Sequence, residues 1–459
     1  MYDNDTICAL ATAPGGAIAV IRVSGRQAIT YVDGIFSKDI LNAGGNTVHH
    51  GTILNTNHEV IDEVLSTVFL APHSYTGEDA VEISCHGSRY IIQEILGLLI
   101  SQGCRMAEPG EYTQRAFLNG KLDLSQAEAV ADLIASTNKA THQMAMSQLR
   151  GQFSSQLAAL RGQLLKLTSL LELELDFSDH EDLEFAERSE LLTLTEEIML
   201  HIRNLTHTFE TGQAIKQGIP VAIIGKTNVG KSTLLNRLIH DDRAIVSDIH
   251  GTTRDTIEDC IDINGVMFRF IDTAGLRQTT DEIEQIGIER TYSAINRARI
   301  VLWLTDTLPT EYELSDMIAH CQGRTLIPIW NKADLKPACH DSAKILNSIS
   351  KITQRQFIPI SAKYGQGIDK LETAIYQAAD LPELKENDMI VTNARHYEAL
   401  MRSQLSLSRV FEGLKANISG DLLAEDLRQA LDTLAEITGG QITPQETLKN
   451  IFKHFCVGK

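Results

Sequence analysis

VAIIGKTNVGKSTLLNRLI, residues 221–239, decides the fold. An apolar run enters GKTNVGKS, Gly225 to Ser232, and a helix-forming segment follows at once, which is the strand–loop–helix context of a phosphate-binding loop. Glycines let backbone amides turn inward around phosphate oxygens, the Lys231 ammonium reaches the outer phosphates, and the Ser232 hydroxyl suits a magnesium ion. At ordinary residue frequencies a chain this long shows the pattern by chance about 1 to 2 times in 100, so the matching strand and helix carry weight.

Around this loop, Asn228, Val229, Gly230, Lys231, Ser232 and Thr233 are expected to contact GTP. Downstream, Ser247, Asp248, Ile249, His250, Gly251, Thr252 and Thr253 form a glycine-containing loop, in which Thr253 would join Ser232 on magnesium. Asp272, Thr273, Ala274 and Gly275 end the strand FRFID, with a carboxylate for the metal's water shell and a glycine amide for the terminal phosphate. Asn331, Lys332 and Asp334, in NKAD, end the strand LIPIW. A carboxylate there accepts both hydrogens of the guanine amide and amino edge, a pair of donors that adenine lacks. Ser361, Ala362 and Lys363 follow FIPI as the loop that supports the base. In this order the elements predict a GTPase. Leu276 stands where Ras-like GTPases carry a water-orienting Gln, so Glu284 becomes the candidate for that task beside Lys231 and Asp272 as catalytic groups. No arginine finger is identifiable. Asn228, with the backbone of Ser247, Ile249 and Thr252, is expected to hold a monovalent cation, which predicts potassium-dependent hydrolysis.

The apolar segments PVAIIG, VMFRFID, RIVLWLTD, LIPIWN and FIPIS alternate with helical stretches as in a doubly wound α/β sheet, and bound a P-loop GTPase domain at 218–380. On its N-terminal side, residues 1–120 read as a small α+β domain: AIAVIRV, EVLSTVFLA and DAVEISC as strands, SRYIIQEILGLLISQG as a helix. Ser125 with Glu128 reads as a capping box opening a helical domain, whose first part is 121–217. Leu149, Phe153, Leu157, Leu160, Leu164, Leu167 and Leu171 form the stripe of a long helix. The pattern returns in 381–459, with Leu423, Leu427, Leu431 and Leu434 on one face, and a final helix opened by Thr443-Pro444-Gln445-Glu446 with Leu448, Ile451, Phe452 and Phe455 inward. The fold class expected is therefore a multidomain α/β plus α chain: an N-terminal α+β domain, and a helical domain interrupted by an inserted GTPase domain.

With 459 residues the chain exceeds what one core supports. Forty-one basic against sixty acidic residues give a formal charge of −19, so a nucleic-acid site must be a local basic patch. Eleven acids lie between Leu170 and Leu200, a charge run that reads more readily as a solvated helix end and loop than as a metal site. The cysteines at 8, 85, 104, 260, 321, 339 and 456 form no C-x-x-C pair, which argues against a disulfide scaffold or a zinc site. No apolar stretch has the length of a membrane span, and MYDNDTICAL lacks a basic leader, so a cytoplasmic protein with no membrane association is expected.

PGGAIAVIRVSG, YTGEDAVEISCHG, PGEYTQRAFLNGKLDLSQAEAVADLI, DTAGLR with IEQIGIER, and the terminal FCVGK resemble the MnmE (TrmE) family of bacterial tRNA-modification GTPases from Asn4 to Lys459. The resemblance implies a folate-binding N-terminal domain that forms a homodimer and a helical domain holding the GTPase domain. It also implies a flavoprotein partner of the MnmG type carrying FAD, in a heterotetramer, with tRNA as substrate. The pair would install a carboxymethylaminomethyl-type group at carbon 5 of the wobble uridine. Arg22, Glu82, Lys121 and Lys459 match the family's positions for 5-formyltetrahydrofolate or a related folate, and Cys456 stands in the CVGK tail as a possible catalytic thiol. Cations suit folate carboxylates and a strand carboxylate suits pterin donors. Without the resemblance, Arg22 reads as a snorkelling strand residue and Glu82 as its structural partner. Thr227 replaces the family's usual proline without touching phosphate chemistry. Two other functions remain open on the sequence: an rRNA-binding switch in ribosome assembly, disfavoured by the lack of a KH-type GxxG loop on a basic background, and a folate-dependent one-carbon transferase with a regulatory GTPase.

Overall fold

The computed structural model describes residues 5–176, 188–240, 259–271, 292–307, 309–335, 357–381 and 390–440, and, near the C-terminus, Leu448, Ile451, Phe452, Phe455 and Gly458. It divides into two compact units, the first made of Met1–Ala135, Ala145–Leu200 and Glu398–Lys459, the second of Ser136–Met144 and His201–Tyr397.

In the first unit the strands β1 (Ile7–Leu10), β2 (Ile18–Ser24), β3 (Thr47–Leu54), β4 (Val60–Phe69), β5 (Ala80–His86) and β6 (Arg105–Met106) form one sheet in the order β3-β4-β5-β2-β1-β6. All neighbours are antiparallel except β1 and β6. Period-two alternation sends Ala19, Ile21 and Val23 of β2 into a core with Val81, Ile83 and Val68. Helices α1 (Ala28–Asp33) and α2 (Arg89–Gln102) contribute to that core through Val32, Ile92, Ile95 and Leu99. Helix α2 ends because Gly103 adopts φ +116° and donates its amide to the Ile100 carbonyl, a left-handed cap that only glycine takes without strain. Arg22 and Glu82, one residue out of phase with the core positions, face the other side of the sheet.

Helices α3 (Glu111–Leu118) and α4 (Leu124–Ala135) follow. Helix α4 opens two residues earlier than the expected capping box: Asp123 Oδ1 accepts the Gln126 amide, while Ser125 lies inside the first turn, buried, donating to Asp123. The nearer carboxylate wins the exposed amide. Helix α5 (Lys139–Leu149) precedes α6 (Gln152–Asp176), whose Phe153, Leu157, Leu160, Leu164, Leu167 and Leu171 are buried as their spacing requires, whereas Leu149, expected on the same helix, ends α5 because the chain turns at Gly151, φ +78°. Helix α7 (Arg188–Gln217) starts with Arg188 donating to Asn417 and to the Ile418 carbonyl.

The second unit carries a sheet of β7 (Ile219–Gly225), β8 (Asp259–Ile263), β9 (Val266–Phe270), β10 (Ile300–Thr305), β11 (Thr325–Trp330) and β12 (Ile358–Pro359), in the order β12-β11-β10-β7-β9-β8. It is parallel except for the β8–β9 hairpin at its edge. Helices α8 (Lys231–His240), α9 (Glu311–His320) and α10 (Ile368–Ala378) accompany it. Every residue of β10 is buried, as a central parallel strand covered on both faces demands. One face packs with Leu234, Leu238, Leu371 and Ile375, the other with Ile295, Leu314 and Phe357. At the far end of this unit, the Val391 amide donates to Thr208 Oγ1 at 3.0 Å, and Gln213 Nε2 donates to the Thr392 carbonyl at 2.8 Å. Gly212 permits this approach, since a Cβ there would meet the Val391 carbonyl oxygen at 2.3 Å.

Helices α11 (Ala394–Lys415) and α12 (Gly420–Thr438) complete the set, and α12 packs on α6 within the first unit; its Leu423, Leu427 and Leu434 are buried, whereas Leu431, expected on the same face, is half-buried. Leu448 and Phe452 are buried with Leu124 and Ala127. The opening of the final helix at 443–446 lies outside the described residues. Among the described residues no helix is long and apolar enough to cross a membrane.

Candidate nucleotide site and N-terminal sheet site

In the parallel sheet, the loops after β7, β10, β11 and β12 emerge at the carboxyl ends of adjacent strands, where open α/β sheets bind ligands. The loop after β7 bends through three left-handed residues, Gly225 at φ +150°, Asn228 at +58° and Gly230 at +100°. This backbone cannot be side-chain-bearing throughout: a Cβ on Gly225 would lie 2.4 Å from the Leu304 carbonyl, and one on Gly230 2.4 Å from Asn331 Nδ2. Lys231 donates to the carbonyls of Gly225 at 2.6 Å and Lys226 at 2.9 Å, so its ammonium sits within the loop. Burial holds its pKa below the ordinary lysine value.

Asn331, 3% exposed, joins three loops. Its Nδ2 donates to the Val229 carbonyl at 2.7 Å, and its Oδ1 accepts the Ala362 amide at 3.0 Å. Ser361 Oγ donates to Asp334 Oδ1 at 2.6 Å, orienting a carboxylate that is otherwise exposed. Lys332, itself left-handed at φ +60°, donates to the Asn228 carbonyl at 2.9 Å. Arg237 of α8 donates to the Lys363 carbonyl at 3.2 Å. Thus Asn228, Val229, Gly230, Lys231, Asn331, Lys332, Asp334, Ser361, Ala362 and Lys363 form one connected surface, with Ser232 and Thr233 opening α8 beside it. Ser247, Asp248, Ile249, His250, Gly251, Thr252, Thr253, Asp272, Thr273, Ala274, Gly275 and Glu284 lie outside the described residues.

The first unit carries a second constellation. Arg22 pairs in register with Glu82, and its guanidinium meets Glu82 Oε1 at 2.7 and 2.9 Å. It lies over the rings of Tyr75 at 5.2 Å and Tyr112 at 5.6 Å, a cation between two aromatic faces. The Tyr112 hydroxyl donates to the Arg22 carbonyl, and Tyr75 shares a hydrogen bond with Thr113. Burial pushes both phenols above their ordinary pKa. Lys121 donates to the Pro72 carbonyl at 2.9 Å, at the root of the loop carrying Tyr75. The carbonyl of Gly458 accepts from Arg22 at 3.5 Å, so the chain's last turn reaches this spot, although Cys456 and Lys459 lie outside the described residues.

Sequence reading missed the ionic cluster beneath this site. Arg115, 5% exposed at its side chain, bonds Asp5 at 2.6 Å and Glu111 at 2.9 Å, while Arg105 reaches Glu111 at 2.6 Å and Asp5 at 2.7 Å. Burial works to raise the Glu111 carboxyl, but hydrogen bonds from Arg105, the Glu108 amide and Arg115 overcome it and leave the pKa below the ordinary value. The charges alternate through Asp5, Arg105, Glu111 and Arg115, yet their separation in sequence hides the cluster.

Two family models match the chain: "MnmE helical domain" over residues 124–456 and "GTP-binding protein TrmE N-terminus" over 6–121. The chain belongs to the MnmE family. It is 52% identical to the tRNA modification GTPase MnmE of Phocaeicola vulgatus and 53% identical to that of Bacteroides thetaiotaomicron, each over 100% of both chains. The MnmE of Porphyromonas gingivalis is 51% identical over 100% of this chain and 99% of its own. The curated relatives are named tRNA modification GTPases.

Proposed function

We propose that this chain hydrolyses GTP to drive tRNA modification. With a flavoprotein partner of the MnmG type, it would install a carboxymethylaminomethyl-type group at carbon 5 of the wobble uridine of certain tRNAs. The observation that carries the nucleotide half is the Asn331 side chain, which ties the phosphate loop to the guanine loop. Lys231 neutralises the outer phosphates, Asp334 reads guanine, and Asp272 and Glu284 act as the remaining catalytic groups.

Ser232 and Thr253 would hold magnesium, which when bound supplies charge neutralisation between the outer phosphates. Asn228, Ser247, Ile249 and Thr252 would hold potassium, the positive charge that an arginine finger supplies elsewhere. Equal hydrolysis rates in potassium and sodium at matched ionic strength would exclude it. The Arg22–Glu82 pair beside two tyrosines suits a flat heteroaromatic ring bearing carboxylates, so we assign a folate to Arg22, Glu82, Lys121 and Lys459, and hold Cys456 as the candidate catalytic thiol.

The proposed domains are 1–120, 121–217, 218–380 and 381–459, with the GTPase domain inserted in the helical one and the N-terminal domain forming the homodimer. Support for insertion comes from the bonds of Val391 and Thr392 to Thr208 and Gln213, which bring the exit of the GTPase segment beside its entry. The test is nucleoside mass spectrometry on tRNA from cells lacking the protein, complemented with wild type or Asp272→Ala. Carbon-5-substituted uridines restored only by wild type support the proposal; unchanged nucleosides overturn it.

A further inference from the structure

We propose that Asp306 is a positioning residue for the guanine nucleotide, fixing the Lys332 ammonium between the base-reading loop and the phosphate loop. Strand β10 lies between β7 and β11 in the sheet, so the residue just past its end emerges between the loops that those two strands carry. That residue is Asp306. Its Oδ2 stands 2.7 Å from Lys332 Nζ, which in turn donates to the Asn228 carbonyl at 2.9 Å. Three consecutive strand ends thus meet at one ammonium.

The two residues so joined share an unusual backbone. Lys332 at φ +60° and Asn228 at φ +58° both sit in the left-handed region, which side-chain-bearing residues rarely adopt and which persists only where surroundings enforce it. An ammonium has three donors. Asp306 and the Asn228 carbonyl take two of them, from different loops, and so define where the head group stands. A lysine stem without such an anchor samples many rotamers, and the spacing between the loop that reads the base and the loop that holds the phosphates would vary with it.

The pair is 38% and 31% exposed, so its Coulombic attraction is screened and adds little to folding. Its value is geometric: a guanine nucleotide must be held at both ends at once, by Asp334 and by the phosphate loop. The inference rests on the nucleotide site assigned above.

The test uses the full chain and N-methylanthraniloyl-GDP. Asp306→Ala should release the nucleotide about tenfold faster, as expected for truncating one partner of an ordered charge pair. It should raise KM for GTP, leave kcat within about twofold, and leave the melting temperature of the nucleotide-free protein unchanged. Asp306→Asn, which preserves shape and one acceptor, should fall between wild type and Asp306→Ala. Asp306→Ala combined with Lys332→Ala should release no faster than Lys332→Ala alone, because the carboxylate acts through that lysine. Wild-type release from Asp306→Ala, or additive losses in the double variant, overturns the role of Asp306 while leaving the site intact. Failure of the wild-type chain to bind the probe overturns both.

Discussion

Asn331 shows how much one buried amide can coordinate. Its Nδ2 donates to the Val229 carbonyl and its Oδ1 accepts the Ala362 amide, so one side chain joins the loops after β7, β11 and β12. Asn331→Ala leaves the Ala362 amide without this acceptor and should weaken GDP binding by about 1–3 kcal/mol, read by titration calorimetry. Gly230→Ala fails for a different reason. The added methyl meets Asn331 Nδ2 at 2.4 Å on a backbone at φ +100°. GDP binding should fall at least tenfold, because the loop must open by a distance that breaks the Asn331 bridge.

At the scale of elements, α3 is fastened to the sheet by charge as well as by the packing of Tyr112 with Ile7 and Ala9. Glu111, wholly buried at its side chain, and Asp5 both ionise more readily in the folded chain than outside it. For Asp5 too, burial opposes ionisation and hydrogen bonds from Arg105 and Arg115 overcome it. A depressed carboxyl pKa stabilises the fold above the unfolded value, near 4.3 for Glu and 3.9 for Asp, and that stability is lost as pH falls through the folded value. The first unit should therefore lose stability steeply below about pH 4. Glu111→Gln should flatten that acid limb and, at neutral pH, destabilise by about 3–5 kcal/mol, measured by denaturant titration at several pH values. Phe452, 1% exposed against Leu124 and Ala127, belongs to the same scale. Phe452→Ala removes an aromatic ring from that cluster, at a cost of about 3–5 kcal/mol, and should expose the C-terminal residues to limited proteolysis.

Over the whole molecule, a formal charge of −19 works against binding any polyanion. The isolated chain should bind tRNA no more tightly than about 10 μM at physiological salt, with tighter binding once the proposed flavoprotein partner is added; filter binding across a salt series measures it. Much of this molecule was legible in its sequence wherever function required a local spacing. GKTNVGKS, NKAD and SAK each lie on one loop, and Asn331 joins the three. The leucine stripes of α6 and α12 were legible because helical periodicity is a local property. What could not be read were long-range meetings of single residues: Asp5 with Arg105 and Arg115, Tyr75 and Tyr112 around Arg22, Asp306 with Lys332. Strand β8 escaped notice for a related reason, since DCIDI, on the sheet edge, alternates polar and apolar residues and lacks the continuous apolar run that marks the central strands.

The hydrogen bonds of Val391 to Thr208 and of Gln213 to Thr392 carry a consequence for protein engineering. They form a seam at which the polypeptide departs and returns at nearly one point. Closing a loop across such a seam costs little more for a long segment than for a short one, because the entropic penalty grows only with the logarithm of length. On the proposed insertion, a chain in which the residues between Gly218 and Ile390 are replaced by a linker of about four residues should keep its first unit folded. The same seam offers a socket: a different motor, or a sensor for another ligand, grafted there would inherit an attachment that the host chain already knows how to close.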